Sequence, residues 1–279
     1  MPERVGFPAG VPAWIDLRQP DPGSAASFYS GLFGWRYENR MSSGSPSYMV
    51  ASLDGRDVAA IGAPIGPQIG QGWNTYIAVE SADATAAKVR KAGGTVIADA
   101  ADLDGVGRVA ICADPSSAVI GLWQPGTIAG AAAVNRPGTW NFSELRTREV
   151  ENAKRFYGAV FGWEVDEVDM GAMSGMMVRL PGYADFLEQF DPGIRERHAA
   201  FGAPPGFSEC VAWFLPLAEA DAPHWSITFA VADTDAVAGI ARELGGSVIV
   251  EPYDVAPVRS AVLRDPQGAT FTVSAFSAG

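Results

Sequence analysis

Two carboxylates and one imidazole stand where extended backbone would carry them to a common face. Glu144 lies in WNFSELRT, Asp16 at the matching place in VPAWIDLRQ, and His224 opens HWSITFAVAD. Carboxylates are seldom buried without a partner or a task, and an imidazole titrates near neutrality. Glu144 with His224 could therefore pass a proton to and from a bound molecule. The plainer reading of His224 is a strand-start ring bonded to a loop carbonyl. Arg108 and Arg259 are equivalent to one another, each six residues before the aspartate of an Asp-Pro turn. They could close internal ion pairs, Asp16 with Arg108 and Glu144 with Arg259, or meet a ligand's carbonyl or carboxylate. Trp14 and Trp123 could stack on a flat molecule.

Alternation is what would position these groups, because successive side chains of a strand face opposite ways. Ile15 and Leu17 take one face of the first strand, Trp14 and Asp16 the other. The same division sets Ile77 and Val79 against Asn74 and Tyr76, Leu145 against Phe142 and Glu144, and Phe229 and Val231 against His224, Ser226 and Thr228. Late in each half, Ile120 and Leu122 oppose Gly121 and Trp123, and Phe271 and Val273 oppose Thr270 and Thr272. One face is aliphatic throughout, as it is where helices pack on a sheet. The other mixes rings with polar groups, as in a small-molecule site.

The strands belong to repeats. FYSGLFGW at 28–35 returns as FYGAVFGW at 156–163, and an internal repeat of this length implies a unit built more than once. Asp21-Pro22 reads as an N-cap and first-turn proline, Gly34 as the helix stop, and Asp54-Gly55 as a hairpin turn. The order strand, helix, three strands recurs four times. KAGGTVIAD matches ELGGSVIVE, and DPSSAVIGL matches DPQGATFTV. The glycine pairs at 93–94 and 245–246 end helices instead of opening them, so they read as C-caps and not as phosphate loops.

In order and in motif the chain resembles the vicinal oxygen chelate superfamily of glyoxalase I, bleomycin-resistance proteins and extradiol dioxygenases, over about 12–276, and more narrowly the tandem glyoxalase-like proteins of actinobacteria. The resemblance implies an α+β fold of four βαβββ modules paired into two cup-shaped domains. The first domain is expected at 10–127, from modules 12–66 and 72–125, followed by a linker at 128–138. The second is expected at 139–277, from modules 139–220 and 223–276. The polar face would line each cup, with Trp14, Asp16, Asn74, Tyr76, Arg108, Trp123, Phe142, Ser226, Thr228, Arg259, Thr270 and Thr272 as ligand-binding candidates and Glu144 and His224 as catalytic ones. The family's metal ligands, carried over position by position, fall on Trp14, Asn74 and Gly121 in the first half and on Phe142, Ser226 and Thr272 in the second. Zinc, nickel and ferrous iron want imidazole, thiolate or carboxylate. No metal or other cofactor is therefore expected, and function does not follow from the fold alone.

The halves differ in one respect. Trp35 and Trp73 are 38 residues apart, but Trp163 and Trp225 are 62 apart, so the second half carries 24 more. They lie about 183–208, where Leu187, Phe190, Ile194 and Phe201 recur near helical spacing. Asp191-Pro192 would cap this helix, Gly202 would end it, and His198 would be at the surface. The insertion is either a lid over the second cup or a pad at an interface. Composition narrows the partners. A net charge of −12 over 279 residues disfavours nucleic acid and anionic membranes. Cys112 and Cys210 sit in apolar runs and read as reduced, packed thiols. The expectations are a cytoplasmic protein, a small-molecule ligand, no nucleic acid or membrane partner, and a homodimer as one assembly. The competing functions are metal-free ligand binding, a metal-free isomerase or cyclase using Glu144 and His224, a metal-dependent lyase or dioxygenase of the superfamily, and a structural or regulatory protein with vestigial cups.

Overall fold

The structure, a computed structural model, describes residues 6–40, 48–64, 72–103, 105–169, 174–255 and 257–276. The expected boundaries at 66 and 277 lie outside the described residues. The first module runs β1 (Pro12–Arg18), α1 (Pro22–Phe33), β2 (Arg36–Asn39), β3 (Tyr48–Leu53) and β4 (Arg56–Gly62). The second runs β5 (Gly72–Ala78), α2 (Ala82–Lys91), β6 (Thr95–Asp102), β7 (Gly107–Ala113) and β8 (Val119–Pro125). The third has β9 (Thr139–Thr147), α3 (Val150–Phe161), β10 (Glu164–Asp169) and β11 (Ser174–Arg179), then two inserted helices, α4 (Tyr183–Glu188) and α5 (Ile194–Ala200), before β12 (Cys210–Pro216). The fourth has β13 (His224–Ala230), α6 (Thr234–Glu243), β14 (Ser247–Val255), β15 (Val258–Arg264) and β16 (Thr270–Phe276).

Local chemistry sets the element ends. The Asp21 carboxylate accepts the Ser24 amide at the start of α1, and Gly34 closes that helix at φ 76°. The Ser24 hydroxyl, then the Ser24 amide, hold the Asp21 carboxyl below its usual range. Asp54 and Gly55 both take positive φ between β3 and β4, as a two-residue hairpin turn requires. Gly93 and Gly245 are left-handed at φ 89° and 84°, the C-terminal role expected of them. Their followers are glycine for a different reason. A Cβ at Gly94 would lie 2.7 Å from the Phe156 ring, and one at Gly246 3.0 Å from Phe28.

Each sheet has eight strands, in the orders β2-β3-β4-β1-β5-β8-β7-β6 and β10-β11-β12-β9-β13-β16-β15-β14. The α+β class with four βαβββ modules in two sheets is thus as expected. The compact units are assembled differently. One comprises Trp14–Thr75, Ala131–Phe142 and Ser226–Gly279, which joins the first module to the fourth. The other comprises Met1–Ala13, Tyr76–Gly130 and Ser143–Trp225, which joins the second to the third.

In the unit of the first and fourth modules, α1 packs on α6. Ile15, Leu17, Phe28, Ile227, Phe229 and Phe271 share one apolar cluster beneath them. The Tyr29 hydroxyl donates to the Asp265 carboxylate at 3.1 Å and accepts the Trp73 indole N–H at 3.0 Å. Trp35 donates to the Gly138 carbonyl at 2.8 Å. The other unit repeats this plan, with α2 against α3 and Ile77, Val79, Leu145, Phe156 and Phe214 in its core. Tyr157 donates to Asp114 at 3.1 Å, accepts from Trp225 at 3.0 Å, and Trp163 donates to the Gly10 carbonyl at 2.7 Å. The repeated octapeptide is therefore a fastener between modules. Its tyrosine binds the Asp-Pro turn of one partner and its tryptophan the chain that leads into another first strand. Burial, and then the neighbouring aspartate, push both tyrosine hydroxyls well above the ordinary phenol range, so they stay protonated and able to donate.

The inserted segment departs from expectation. Two short helices replace one, and α5 begins at Gly193 without a side-chain cap. Asp191 instead pairs with Arg197. Tyr183 and Ala184 of α4 are buried, and Tyr183, Phe186 and Leu187 join the apolar cluster of Phe156, Tyr157 and Trp163. This docks α4 on the helix side of the sheet, so it does not lie as a lid over the polar face. His198 is not a surface ring: it is half-buried between Phe201 and Phe207, with Nδ1 2.8 Å from the Ser208 hydroxyl. Burial, then Arg197, lowers its pKa. Both thiols are buried and free; burial raises Cys112 to about 12 and Cys210 further, which leaves them unreactive.

Candidate functional site

The alternation holds on both faces. Ile15, Leu17, Ile77, Val79, Leu145, Phe229 and Val231 are core, and Asp16 and Glu144 point the other way. In the first module that polar face is sealed. The Asp16 side chain is fully buried, and its carboxylate is gripped by Arg18 at 2.6 Å and by the Asn74 amide at 3.1 Å. The Arg18 guanidinium lies over the Tyr48 ring, 4.7 Å from its centroid. The Tyr48 hydroxyl accepts the Trp14 indole N–H at 3.0 Å and hydrogen-bonds the Asp16 carboxylate. Burial first, and then the charge of Asp16, push that phenol far above its ordinary pKa. All seven residues of β1 are buried, because Tyr48 and its partners cover the face that alternation would leave open.

The third module repeats the acid and the base two residues apart, as Glu144 and Arg146. Glu144 neighbours Trp213 across the parallel β9–β12 pair, and Trp213 neighbours Met177 of β11. The grip is looser here. Arg146 and Glu144 are 3.8 Å apart, with side chains 31% and 10% exposed against 9% and 0% for Arg18 and Asp16. The cause can be read across the strands. In the first module Arg18 aligns with Gly62 and Gly62 with Tyr48. In the third, Arg146 aligns with Leu215, and continuing the β11–β12 register brings Gly175 to the place of Tyr48. Where the first module has the Tyr48 ring beneath Arg18, the third has Gly175 in register.

Each remaining candidate has a place. Tyr76 and Trp123 are buried on the polar face. Tyr76 packs on Gly121, where a Cβ would lie 2.0 Å from the ring. Trp123 covers Gly107 and donates to the Ile128 carbonyl at 3.2 Å. Thr228 and Thr272 are register neighbours on β13 and β16. Ser226, Thr272 and Phe142 are half-buried, and Thr270 is exposed. His224 is exposed, and its ring bonds the Ala222 carbonyl at 2.8 Å, the plainer of its two readings. The arginine pairings differ from expectation. Arg108 shares the face of Ala110 and Leu122 and donates to Asp83 of α2 at 2.8 Å. Arg259 shares the face of Ala261 and Val273 and pairs with Asp235 of α6 at 2.6 Å. Both sit on the helix side, each with an acid in the first turn of its module's helix, and neither pairs with Asp16 or Glu144. The carboxylates pair two residues along their own strand, and the repeated D-L-R and E-L-R text carried that signal. Two hollows of ≈ 300 and ≈ 500 Å³ lie elsewhere, beside Gln19 and Gln267 and beside Ser81 and Lys88, and hold none of these candidates.

The residues at the six metal-ligand positions implied by the resemblance do not fit a divalent metal. Trp14 has its donor engaged, Asn74 offers an amide that already serves Asp16, and the Tyr76 ring fills the space over Gly121. Phe142, Ser226 and Thr272 stand at the other three positions. Among the described residues no three His, Cys, Asp or Glu are grouped to hold a metal ion, and no helix is long and apolar enough to cross a membrane.

Residues 12–122 match the glyoxalase/bleomycin resistance protein/dioxygenase superfamily, and residues 144–274 match a glyoxalase-like domain. A Mycobacterium bovis protein named as a glyoxylase, CFP32, is 38% identical over 98% of this chain and 97% of its own length. The anthracycline biosynthesis protein DnrV of Streptomyces peucetius is 36% identical over 96% and 94%. The Mn(II)-bound glyoxalase of Novosphingobium aromaticivorans shares the fold, with a TM-score of 0.62, 13% identity, and coverage of 96% of this chain and 82% of that one.

Proposed function

The chain belongs to the glyoxalase/bleomycin resistance protein/dioxygenase superfamily, and within it we propose that it binds a small, partly apolar or aromatic molecule without a metal, at Glu144 and Arg146. The contrast between the two acid–base pairs carries this reading. Asp16 and Arg18 are spent on the protein's own Asn74, Tyr48 and Trp14, while Arg146 stays partly exposed and out of hydrogen-bonding range of Glu144. A guanidinium and a carboxylate beside a half-buried Trp213 offer donors, acceptors and an aromatic surface to one ligand. Two relatives are named for anthracycline biosynthesis, and anthracyclines are fused aromatic ring systems, which is in keeping with such a ligand. The donor chemistry at the six family ligand positions supports metal independence.

Native mass spectrometry of protein purified from its own host, with elemental analysis of the same sample, tests the proposal. The expected result is a retained small molecule, lost in Glu144→Gln and Arg146→Gln, and well under one transition metal per chain. One tightly held metal per chain, needed for retention, would defeat it. A metal-free isomerase or cyclase would use the same Glu144 as a base, and the buried carboxylate is the observation in its favour. Turnover lost in Glu144→Gln with binding retained would select that reading. His224 contributes less to it, since its Nδ1 is already bonded to Ala222.

A further inference from the structure

The helix of the second module carries polar side chains that its repeat does without. Helices α2 and α6 align through their N-caps, where Ser81 accepts the Ala84 amide and Asp233 the Ala236 amide. Position by position, Thr85 then answers to Val237 and Lys88 to Ile240. Val237 packs on the core of its unit, so an apolar side chain serves the fold at this place. Thr85 is 7% exposed, and among the described residues its hydroxyl makes no hydrogen bond. A hydroxyl held so far from water is destabilising unless a partner meets it. Thr85 lines the hollow of ≈ 500 Å³ between α2 and the end of α3. Ser81, Thr85 and Lys88 form one stripe along α2, at spacings that share a helix face. Lys88 is the one cation and Glu80 the one anion among the lining residues, and among the described residues neither forms an ion pair. The last turn of α3 supplies the other wall. The Gly158 carbonyl accepts the Gly162 amide there, while those of Ala159, Val160 and Phe161 have no hydrogen bond among the described residues. No basic side chain stands in that turn, so the partial negative charge of the helix end is not offset by its own helix.

We propose that this hollow binds a free amino acid with an apolar side chain. Its carboxylate is held by the Lys88 ammonium and the Thr85 hydroxyl, and its ammonium by the free carbonyls at the end of α3. The charges select a zwitterion. A simple anion would suit Lys88 but bring a second negative charge towards Glu80 and the α3 terminus. A simple cation would suit those two and be repelled by Lys88. One neutral molecule with both charges satisfies each wall. The remaining lining, with Val79, Ala84, Val160 and Phe161, is apolar and takes the side chain, and the volume is that of an ordinary small-molecule site. The inference does not depend on the reading of Glu144 and Arg146.

The probes are L-leucine and L-phenylalanine, with 3-phenylpropionate, which lacks the ammonium, and phenethylamine, which lacks the carboxylate, as controls. Binding to the full chain is followed by calorimetry and by ligand-observed NMR. The expected result is one site per chain for at least one of the two amino acids, with Kd of about 1 mM or tighter. Both controls should bind at least tenfold more weakly than L-phenylalanine or, if only L-leucine binds, not at all. Thr85→Val and Lys88→Ile copy the side chains that the repeat already carries in α6, and each should weaken binding at least tenfold. Glu144→Gln should leave it unchanged, which separates this site from the polar face of β9. If a variant does not fold, the wild-type comparison with the two controls still decides. Binding of 3-phenylpropionate or phenethylamine as tight as that of L-phenylalanine overturns the proposal, because one charge would then suffice. Amino-acid binding that survives both Thr85→Val and Lys88→Ile overturns it too, and so does the absence of saturable binding of either amino acid up to about 10 mM. A loss of stability in Lys88→Ile without amino-acid binding in the wild type would instead assign Lys88 to capping α3.

Discussion

Removing one hydroxyl from each copy of the FY motif should cost unequal amounts, although the two tyrosines are equivalent in sequence. Tyr157→Phe keeps the ring stacked 5.2 Å from Trp163 and deletes only the oxygen between Trp225 and Asp114. The buried Trp225 N–H is left without an acceptor, a loss of about 1–3 kcal/mol, and the Asp114 carboxylate loses a charge-assisted bond worth about 1.5–3 kcal/mol. The Asp114 oxygen that Tyr157 serves is distinct from the one that accepts the Ser116 and Ala118 amides. The total comes to about 2.5–6 kcal/mol. Tyr29→Phe orphans Trp73 in the same way, but Asp265 keeps the Gln19 amide at 2.6 Å on the same oxygen. Its cost should be nearer 2 kcal/mol. Urea unfolding followed by Trp fluorescence and by far-UV circular dichroism reads both, and a common midpoint for the two probes licenses the comparison. Adding Gln19→Ala to Tyr29→Phe should bring the loss up to that of Tyr157→Phe. Equal losses for the two single variants would refute the account, and so would no further loss on removing Gln19.

Three further outcomes follow from the same geometry. Leu17→Ala should lose about 2–5 kcal/mol in the same unfolding assay, since Leu17 is fully buried in the helix-side core; a loss under about 0.5 kcal/mol would mean the strand faces are reversed. Gly121→Ala should destabilise by about 1–3 kcal/mol, because its methyl group meets the Tyr76 ring, and the further change Tyr76→Ala should make position 121 tolerant of alanine; a fully stable single variant would deny that the ring fills this place. The amides of Gly193 and Arg195, followed by the Arg195 charge, hold Glu188 below its usual value of 4.5. The folded pKa is the lower one, so this support for the α4–α5 turn is present above pH 4.5 and is lost as pH falls through that folded value. Hydrogen-exchange protection at Gly193 should drop with acidification in the wild type and be insensitive to it in Glu188→Gln.

Much of this protein is written in short stretches of its sequence. The faces of β1, β5, β9, β13, β8 and β16 follow from alternation, which is a property of local backbone geometry. The ends of α1 follow from Asp21 and Gly34 for the same reason. The side chains at the six positions where the family carries its metal ligands, Trp14, Asn74, Gly121, Phe142, Ser226 and Thr272, are also legible, because that needs only residue identity at counted positions. Three features required the assembled chain. Which modules share a core depends on which apolar faces meet, and the four helices present similar faces, so nothing local says that Tyr29 will find Asp265, 236 residues away. The docking of the inserted helix against Phe156 and Trp163 instead of over the polar face is a choice of the same kind. The site itself turns on register across three strands. D-L-R and E-L-R look alike in the sequence, and only the cross-strand register shows that Tyr48 stands beside Arg18 while Gly175 stands at the corresponding place beside Arg146.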